Sequence, residues 1–483
     1  MFESNQRRIF ITGATGFIGR SLVLRLQREG HAVTALVRNR NKALSLLGPD
    51  VRFVKFADAE FSDAVGEADA IFNLAGDPLL GKGLFGKRWD EKKRASIWSS
   101  RIDLTKGVVN NMTPGRQNRV FISTSAVGYY GNGGNLELTE SSPAGTGFLA
   151  DLCASWEAEA SKASKHGVRV AILRIGVVLG RGGGALSQML PIFRAGLGGP
   201  IGSGKQFVPW IHQSDLIELL MTALHNPAYE GAFNATAPSP VTFKTFAKKL
   251  GSRVGRLAIV PVPGFGLRLL YGDAAQVLTE GQNATPKRAM EMGFQFGFSR
   301  LKEALRDVVG DQSVRIKQAN GSIPESPYLA NNPPKYVLQT KILIPAPRNE
   351  VFAFFSQPKN LGVLTPSAMK FRSSGQNEDL GTGAIVEHTF TFMRFNLHWK
   401  SRIETFEANS RFVDVQETGM YKSWWHEHKF EDVNGHTRVT DTVYYTPPLG
   451  AIANAAMVSN RLKEVFAYRM AALKFRFNSV NTD

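Results

Sequence analysis

At 483 residues the chain is too long for one hydrophobic core, and with 43% apolar residues but no run of eighteen it reads as two to four globular domains without a membrane span. A formal charge of +17 would suit nucleic acid, but the basic residues are dispersed, the richest stretch, Lys87 to Arg94, mixes both signs, and no nucleic-acid module is present. One cysteine, Cys153, excludes an internal disulfide, and the short polar stretch Met1 to Arg8 is no signal peptide, so a reducing, cytoplasmic setting is expected.

The first element is the run Ile9-Phe10-Ile11, followed by Thr12-Gly13-Ala14-Thr15-Gly16-Phe17-Ile18-Gly19 and a helical pattern from Ser21 to Gln27. That order is strand, tight turn, helix. A dinucleotide pyrophosphate needs backbone N–H groups aimed at it, a helix N-terminus behind it and no Cβ in the way, which three glycines in this context supply. A glycine-rich turn with no ligand is the alternative. The next strand, 32–37, ends at Arg38, where an NAD-binding fold usually sets an acidic residue for the ribose 2′-hydroxyl. An arginine can pair there with a 2′-phosphate, so NADP(H) is expected ahead of NAD, the alternative for Arg38 being a solvated surface charge.

Strand-like runs at 51–56, 70–74, 119–124 and 169–175 continue the alternation with helices and predict a doubly wound parallel sheet. Residues 181–310, punctuated by Gly and Pro, are expected to form a small substrate lobe, closing a first domain at 1–310. Residues 311–334 are polar and proline-rich and read as a linker. Residues 335–480 then show a strand from Tyr336 to Ile344, a helix after Pro345-Ala346-Pro347, several strands and a final helix from about Leu449 to Phe475. Leu462, Val465, Phe466, Met470 and Leu473 give that helix one apolar face, predicting an α+β domain with a long helix against a curved antiparallel sheet. His426 and His428 share one face of a strand, and with His388 or His398 could form a metal site. No ligand spacing is fixed, however. A cavity wall built from Trp399, Trp424, Trp425 and hydrogen-bonding side chains fits the pattern better, and no metal is expected.

Thr12 to Gly19, Asn73-Leu74-Ala75-Gly76, Ser100-Arg101, Ser123-Thr124-Ser125-Ala126, Tyr129-Tyr130-Gly131, Phe148-Leu149-Ala150, Trp156-Glu157-Ala158-Glu159, Leu173-Arg174-Ile175-Gly176 and Trp210-Ile211-His212 carry a family likeness, joined by Gly281-Gln282, Pro286 and Gly293-Phe294. On these residues the chain from about 9 to 310 resembles the extended short-chain dehydrogenase/reductases. More narrowly, it resembles their atypical epimerase-like branch, commonly labelled nucleoside-diphosphate-sugar epimerases. The resemblance implies a Rossmann-like fold and a cofactor set of Gly13, Thr15, Gly16, Phe17, Ile18, Gly19, Arg38, Leu74, Ala75, Gly76 and Arg101, with Asp58 near the adenine or, alternatively, a plain surface charge.

In ordinary members a Ser/Thr polarises the substrate oxygen, a Tyr transfers a proton, and a Lys four residues later lowers the Tyr pKa. Ser125 matches the first position. The Tyr-x-x-x-Lys pair is missing from 148–157, as in the atypical branch, which leaves Tyr129 or Tyr130 as candidate proton donor, with a pocket or packing role as the alternative. Cys153 reads as a small buried residue rather than a nucleophile, and His212 and Asp215 as fixing a strand-to-helix junction. Two functions remain: an NADP(H)-dependent oxidoreductase or epimerase acting on a small molecule, favoured by the intact glycine and Ser125 motifs, or a non-catalytic NADP(H)-binding sensor coupled to a hydrophobic ligand, favoured by the missing pair. Residues 335–480 are similar to the SRPBCC superfamily (START and polyketide-cyclase-like), whose helix-grip fold encloses an apolar cavity, implying a hydrophobic ligand.

Overall fold

The computed structural model describes residues 6–80, 88–114, 118–309, 314–321, 323–366, 369–373, 380–392, 395–448 and 458–477. The chain divides into two compact units, one of residues 1–22, 29–38 and 52–310, the other of residues 23–28, 39–51 and 311–483.

The first unit is built on a seven-stranded sheet in the order Gly231–Ala235, Arg169–Ile175, Val120–Ala126, Ala70–Asn73, Arg8–Thr12, Ala32–Leu36 and Val51–Val54. Each pairing from Gly231–Ala235 to Ala32–Leu36 is parallel. Ile9, Phe10, Ile11, Ile71, Phe72, Phe121 and Ile122 are fully buried, as strands covered on both faces require. From Arg8–Thr12 the chain winds to one edge, and from Ala70–Asn73 to the other. Thr12 and Asn73 are paired at the carboxyl ends of these two strands, the point where a doubly wound sheet opens a ligand crevice.

The expected substrate lobe is smaller than 181–310. Helix Gln213–His225 and strand Gly231–Ala235 come from the middle of that stretch, and the strand extends the main sheet. Gly231-Ala232-Phe233-Asn234-Ala235 lacks the β-branched residues that advertise a strand, and parallel pairing to Arg169–Ile175 overrides that weak local preference. Leu179, Leu186, Trp210, Phe246, Leu250 and Leu301 form a separate buried cluster that holds the remainder together. Of the mixed-charge stretch, Asp90 caps helix Glu91–Ser99 by accepting the Lys93 N–H, and Lys87 lies outside the described residues.

The second unit carries an eight-stranded sheet in the order Arg315–Gln318, Tyr336–Ile344, His436–Thr446, Ser423–Val433, Arg411–Thr418, Phe395–Glu407, Ile385–Phe392 and Arg372–Ser373, antiparallel throughout. The composition of 311–334 suggests a linker, but Arg315–Gln318 pairs as an edge strand and Pro327–Asn331 is a short helix capped by Ser326. Hydrogen bonding to the neighbouring strand orders a segment that has little apolar surface of its own. The last helix is Ser459–Phe477; its expected start at Leu449 lies outside the described residues. Leu462, Phe466, Met470 and Leu473 share a core with Phe352, Phe355, Trp399, Phe412 and Phe430, so the helix packs its apolar face on the sheet. Among the described residues no helix is long and apolar enough to cross a membrane.

Candidate functional site

The crevice is built from the end of the first strand outward. Thr12 Oγ1 donates to Asn73 Oδ1 at 2.8 Å and accepts the N–H groups of Leu74 and Ala75 at 3.1 Å each. Asn73 Nδ2 in turn donates to Thr105 Oγ1 at 2.7 Å and Ser123 Oγ at 3.3 Å, and Trp156 Nε1 donates to Thr105 Oγ1 at 2.9 Å. This buried network fixes the backbone of residues 74 and 75 directly behind the glycine turn.

Gly13 has φ +71°, and a Cβ on it would stand 2.7 Å from the Leu74 carbonyl carbon and 2.8 Å from the Ala75 nitrogen. A Cβ on Gly19 would stand 2.3 Å from the Gly13 oxygen. Gly13 therefore lets the turn close on the fourth strand, and Gly19 lets helix Phe17–Arg28 close on the turn. The first turn of that helix carries no acidic side chain, so the positive end of its dipole is left for an exogenous anion.

The remaining expected cofactor residues divide. Gly16 is exposed and Thr15 half-buried at the mouth of the turn. Phe17 spends its ring on Gly180, Gly183 and Gly184, each of whose Cβ positions it blocks. Arg38 is exposed at the end of its strand. Asp58 accepts the Lys55 N–H at 2.8 Å, which closes its own turn. Leu74 and Ala75 have given their N–H groups to Thr12, so they can meet a cofactor only through carbonyls or side chains. Arg101 Nη1 donates to the carbonyls of Asp77 at 3.2 Å and Ile97 at 3.1 Å, with its guanidinium lying against Gly76. It fastens the loop that frames the crevice.

Deeper in the same unit Ser125, 3% exposed, donates to Glu157 Oε1 at 2.7 Å. Arg174 grips the same carboxylate with Nε at 2.9 Å from Oε1 and Nη2 at 2.8 Å from Oε2, and donates through Nη1 to the Tyr130 hydroxyl at 2.9 Å. Tyr130 Oη also lies 2.7 Å from Asn234 Oδ1. Burial pushes the Tyr130 phenol up, partly offset by Arg174. Buried, fully engaged and a weaker acid than free tyrosine, Tyr130 is placed as an anchor rather than as the proton donor the sequence also allows.

Tyr129 differs from Tyr130. Its ring lies 3.5 Å from the Arg174 guanidinium carbon, it is half-buried, and among the described residues its hydroxyl has no hydrogen-bond partner. Leu149 and Cys153, four residues apart on helix Phe148–Ser161, face Gly128 in the turn after Ser125. The resemblance expects a Tyr-x-x-x-Lys pair within 148–157, and the face that this helix turns to Gly128 is apolar instead. Burial and the neighbouring Glu157 push the Cys153 thiol up to about 11, so no nucleophilic thiolate forms near neutral pH. His212 caps helix Gln213–His225 by accepting the Ser214 N–H, and Asp215 accepts the N–H groups of Gly297 and Phe298.

Glu157 and Arg174 are the site residues that sequence reasoning left without a role. The signal was present: Arg174 interrupts the run Val170 to Ile175, and a charge in a buried strand requires a partner.

The second unit carries a half-open cavity of about 190 Å³, whose walls include Phe355, Phe390, Trp399, Trp424 and Phe466. Its polar side carries His388, Asp414, His426, His428 and Arg469. Among the described residues Nδ1 of His388 and Nε of Arg469 are buried without hydrogen-bond partners. Burial pushes His388 down to about 4, which keeps it neutral.

Residues 9–235 match the NAD dependent epimerase/dehydratase family model, and residues 262–308 match DUF1731, a domain of unknown function. The chain is 42% identical over 312 residues to the chloroplastic epimerase family protein SDR39U1 homolog of Arabidopsis thaliana, covering 64% of this chain and 88% of that protein. It is 37% identical to human epimerase family protein SDR39U1, covering 62% of this chain and 99% of that one. The crystal structure of human SDR39U1 (isoform 2) with NADPH is similar at a TM-score of 0.55 and 35% identity, covering 62% of this chain and 98% of that one.

Proposed function

Since the chain belongs to the NAD-dependent epimerase/dehydratase family, we propose that its first 310 residues bind NADP(H) and act as an oxidoreductase or epimerase on a small carbonyl- or hydroxyl-bearing substrate. The carrying observation is the fit of the glycine turn. Gly13 and Gly19 leave no room for a Cβ, the first turn of the helix behind them carries no acidic side chain, and Arg38, exposed at the end of the next strand, is a cation able to pair with a 2′-phosphate. NADPH in the related human structure supports the same cofactor.

When bound, NADP(H) supplies or accepts a hydride. The chain's own part is positional. Gly13, Thr15, Gly16 and Gly19 receive the pyrophosphate, Arg101 holds the Gly76 loop in place, and Tyr129, its ring braced by Arg174, presents for proton transfer a hydroxyl that has no partner among the described residues. Ser125 is turned toward Glu157, so it helps a substrate oxygen only after rotating away from that carboxylate. A cytoplasmic location accords with the single unpaired cysteine.

A second reading, binding without turnover, is favoured by one observation: where the resemblance expects a Tyr-x-x-x-Lys pair, the helix turns the apolar Leu149 and Cys153 to Gly128. The two readings separate in one experiment. Purified protein is titrated with NADPH by fluorescence, then supplied with a panel of carbonyl compounds and nucleotide sugars. Consumption of NADPH or epimerised product, lost in Tyr129→Phe with NADPH affinity retained, supports the enzyme. Tight NADPH binding with no turnover across the panel supports the sensor.

For residues 335–480 we propose an SRPBCC-like domain that binds an apolar molecule carrying an oxygen acceptor. The aromatic wall supports the apolar body, and Arg469 Nε and His388 Nδ1, which have no hydrogen-bond partner among the described residues, support the acceptor. Native mass spectrometry of co-purifying material tests this, a polar or nucleotide ligand in the cavity being the contrary result.

A further inference from the structure

A second constellation lies in the sheet of the second unit. His426 and His428 alternate on strand Ser423–Val433 and so share a face. The register sets Asp414 of one neighbouring strand opposite His426 and Asp441 of the other opposite His428. Asp414, His426 and His428 line the cavity, and Asp441, 2% exposed, stands behind the two rings.

Asp414 Oδ2 lies 3.3 Å from His426 Nδ1 and 3.5 Å from His428 Nε2. The remaining ring nitrogens, His426 Nε2 and His428 Nδ1, lie 3.3 and 2.7 Å from Asp441 Oδ1. The first of these contacts is a hydrogen bond; the second is close but out of line for one. A neutral imidazole has a single N–H. With both protons turned toward Asp441, the other two ring nitrogens are left as lone-pair donors beside Asp414 Oδ2, and these donor atoms all lie within 4.8 Å of one another.

Three electron-pair donors with no proton among them suit a cation. A tetrahedral ion of the zinc class, with bonds of about 2.0–2.1 Å, sets its ligand atoms about 3.3–3.4 Å apart, close to the Asp414–imidazole spacings. Asp441 is then the outer carboxylate that orients ligating imidazoles. It is itself held by Thr340 Oγ1 at 3.3 Å and lies 3.7 Å from Arg469 Nη1.

The other candidate cluster, Glu29, His31 and His225, lacks this chemistry. His31 Nδ1 accepts the Arg7 N–H at 3.2 Å, so in the neutral ring Nε2 carries the proton and cannot ligate.

We propose that Asp414, His426 and His428 bind one divalent transition metal ion of the zinc class, with Asp441 as their outer carboxylate and the remaining coordination position open to the apolar cavity. The partner that the sequence left unfound for His426 and His428 is therefore Asp414, not His388 or His398. Three protein ligands and an open position are the arrangement of a reactive rather than a purely structural zinc site. The occupant of the open position is an oxygen donor on a ligand whose apolar body fills the cavity.

The test uses the full chain, stripped with chelator and repurified, and titrated with Co²⁺ alone. Expected are one Co²⁺ per chain and visible d–d bands of tetrahedral or five-coordinate intensity. Asp414→Asn and His428→Gln should abolish both, Asp441→Asn should weaken binding about 10–100-fold, and His225→Ala should change neither. In a parallel melt without cobalt, Zn²⁺ should raise the wild-type melting temperature, a readout that stands even if a ligand variant fails to fold. Absence of stoichiometric Co²⁺ together with an unmoved wild-type melt overturns the site, as does binding that survives both Asp414→Asn and His428→Gln or that is lost in His225→Ala.

Discussion

Arg174 holds Glu157 by two hydrogen bonds of 2.9 and 2.8 Å, with the two side chains only 5% and 10% exposed. Two charges taken out of water in this way are favourable only as a pair. Removing one leaves the other buried and uncompensated at a cost of about 3–5 kcal/mol, whereas replacing both with apolar groups of similar volume is often neutral. Glu157→Ala and Arg174→Met are each expected to lower the unfolding free energy of the first unit, read from chemical denaturation, by that order, and Glu157→Leu with Arg174→Met to recover most of it. Single variants that cost less than about 1 kcal/mol would show the pair to be far more hydrated than its burial indicates.

Gly19 is expected to be intolerant of even one methyl group. A Cβ would sit 2.3 Å from the Gly13 oxygen and 2.7 Å from Ala14 Cα, both backbone atoms that cannot swing aside. Gly19→Ala should push helix Phe17–Arg28 off the turn, cost about 1–3 kcal/mol as an overpacked contact, and abolish NADPH fluorescence enhancement. Retained NADPH affinity in that variant would show that the pyrophosphate does not use this turn.

The reach and the limits of sequence reading follow from which interactions are local. The parallel strands were legible because burial on both faces demands continuous apolar runs such as Ile9-Phe10-Ile11, and the glycine turn because Gly13 and Gly19 answer short-range steric demands. Strand Gly231–Ala235 was not legible, since its only reason to be a strand is a neighbour some sixty positions away in sequence. The grouping of Ser125, Glu157, Arg174 and Tyr130 depends likewise on how one helix docks on two strands. The His426, His428 and Asp414 cluster shows the same limit. Period-two alternation gives the shared face of the two histidines, but only the strand register brings the aspartate opposite them.

Arg38 is the residue on which cofactor choice is expected to turn. Exposed at the end of strand Ala32–Leu36, it can pair with a 2′-phosphate but gains nothing from a 2′-hydroxyl. A hydrogen bond to a charged group contributes about 1.5–3 kcal/mol, so Arg38→Ala should weaken NADPH binding about 10–100-fold and leave NADH nearly unchanged. Equal losses for the two cofactors, measured by the same fluorescence titration, would remove Arg38 from the 2′ position.

Cys153 gives a pH dependence whose sign can be worked out. Burial, then Glu157, raises its thiol from 9.0 to about 11 in the folded protein, so between these values the folded state binds the proton more tightly than the unfolded chain does. Its contribution is intact below pH 9 and is lost as the pH rises through 11, at about 1.4 kcal/mol per pH unit. Cys153→Ala removes that titration, so its stability should fall less steeply than wild type between pH 9 and 10.5, after allowance for a constant offset from the lost sulfur. The same burial predicts that iodoacetamide at pH 8 leaves the native thiol unmodified for hours, while denaturant exposes one reactive thiol per chain. Parallel pH slopes for the two proteins, with rapid native alkylation, would place the thiol in contact with solvent and reopen a chemical role for it.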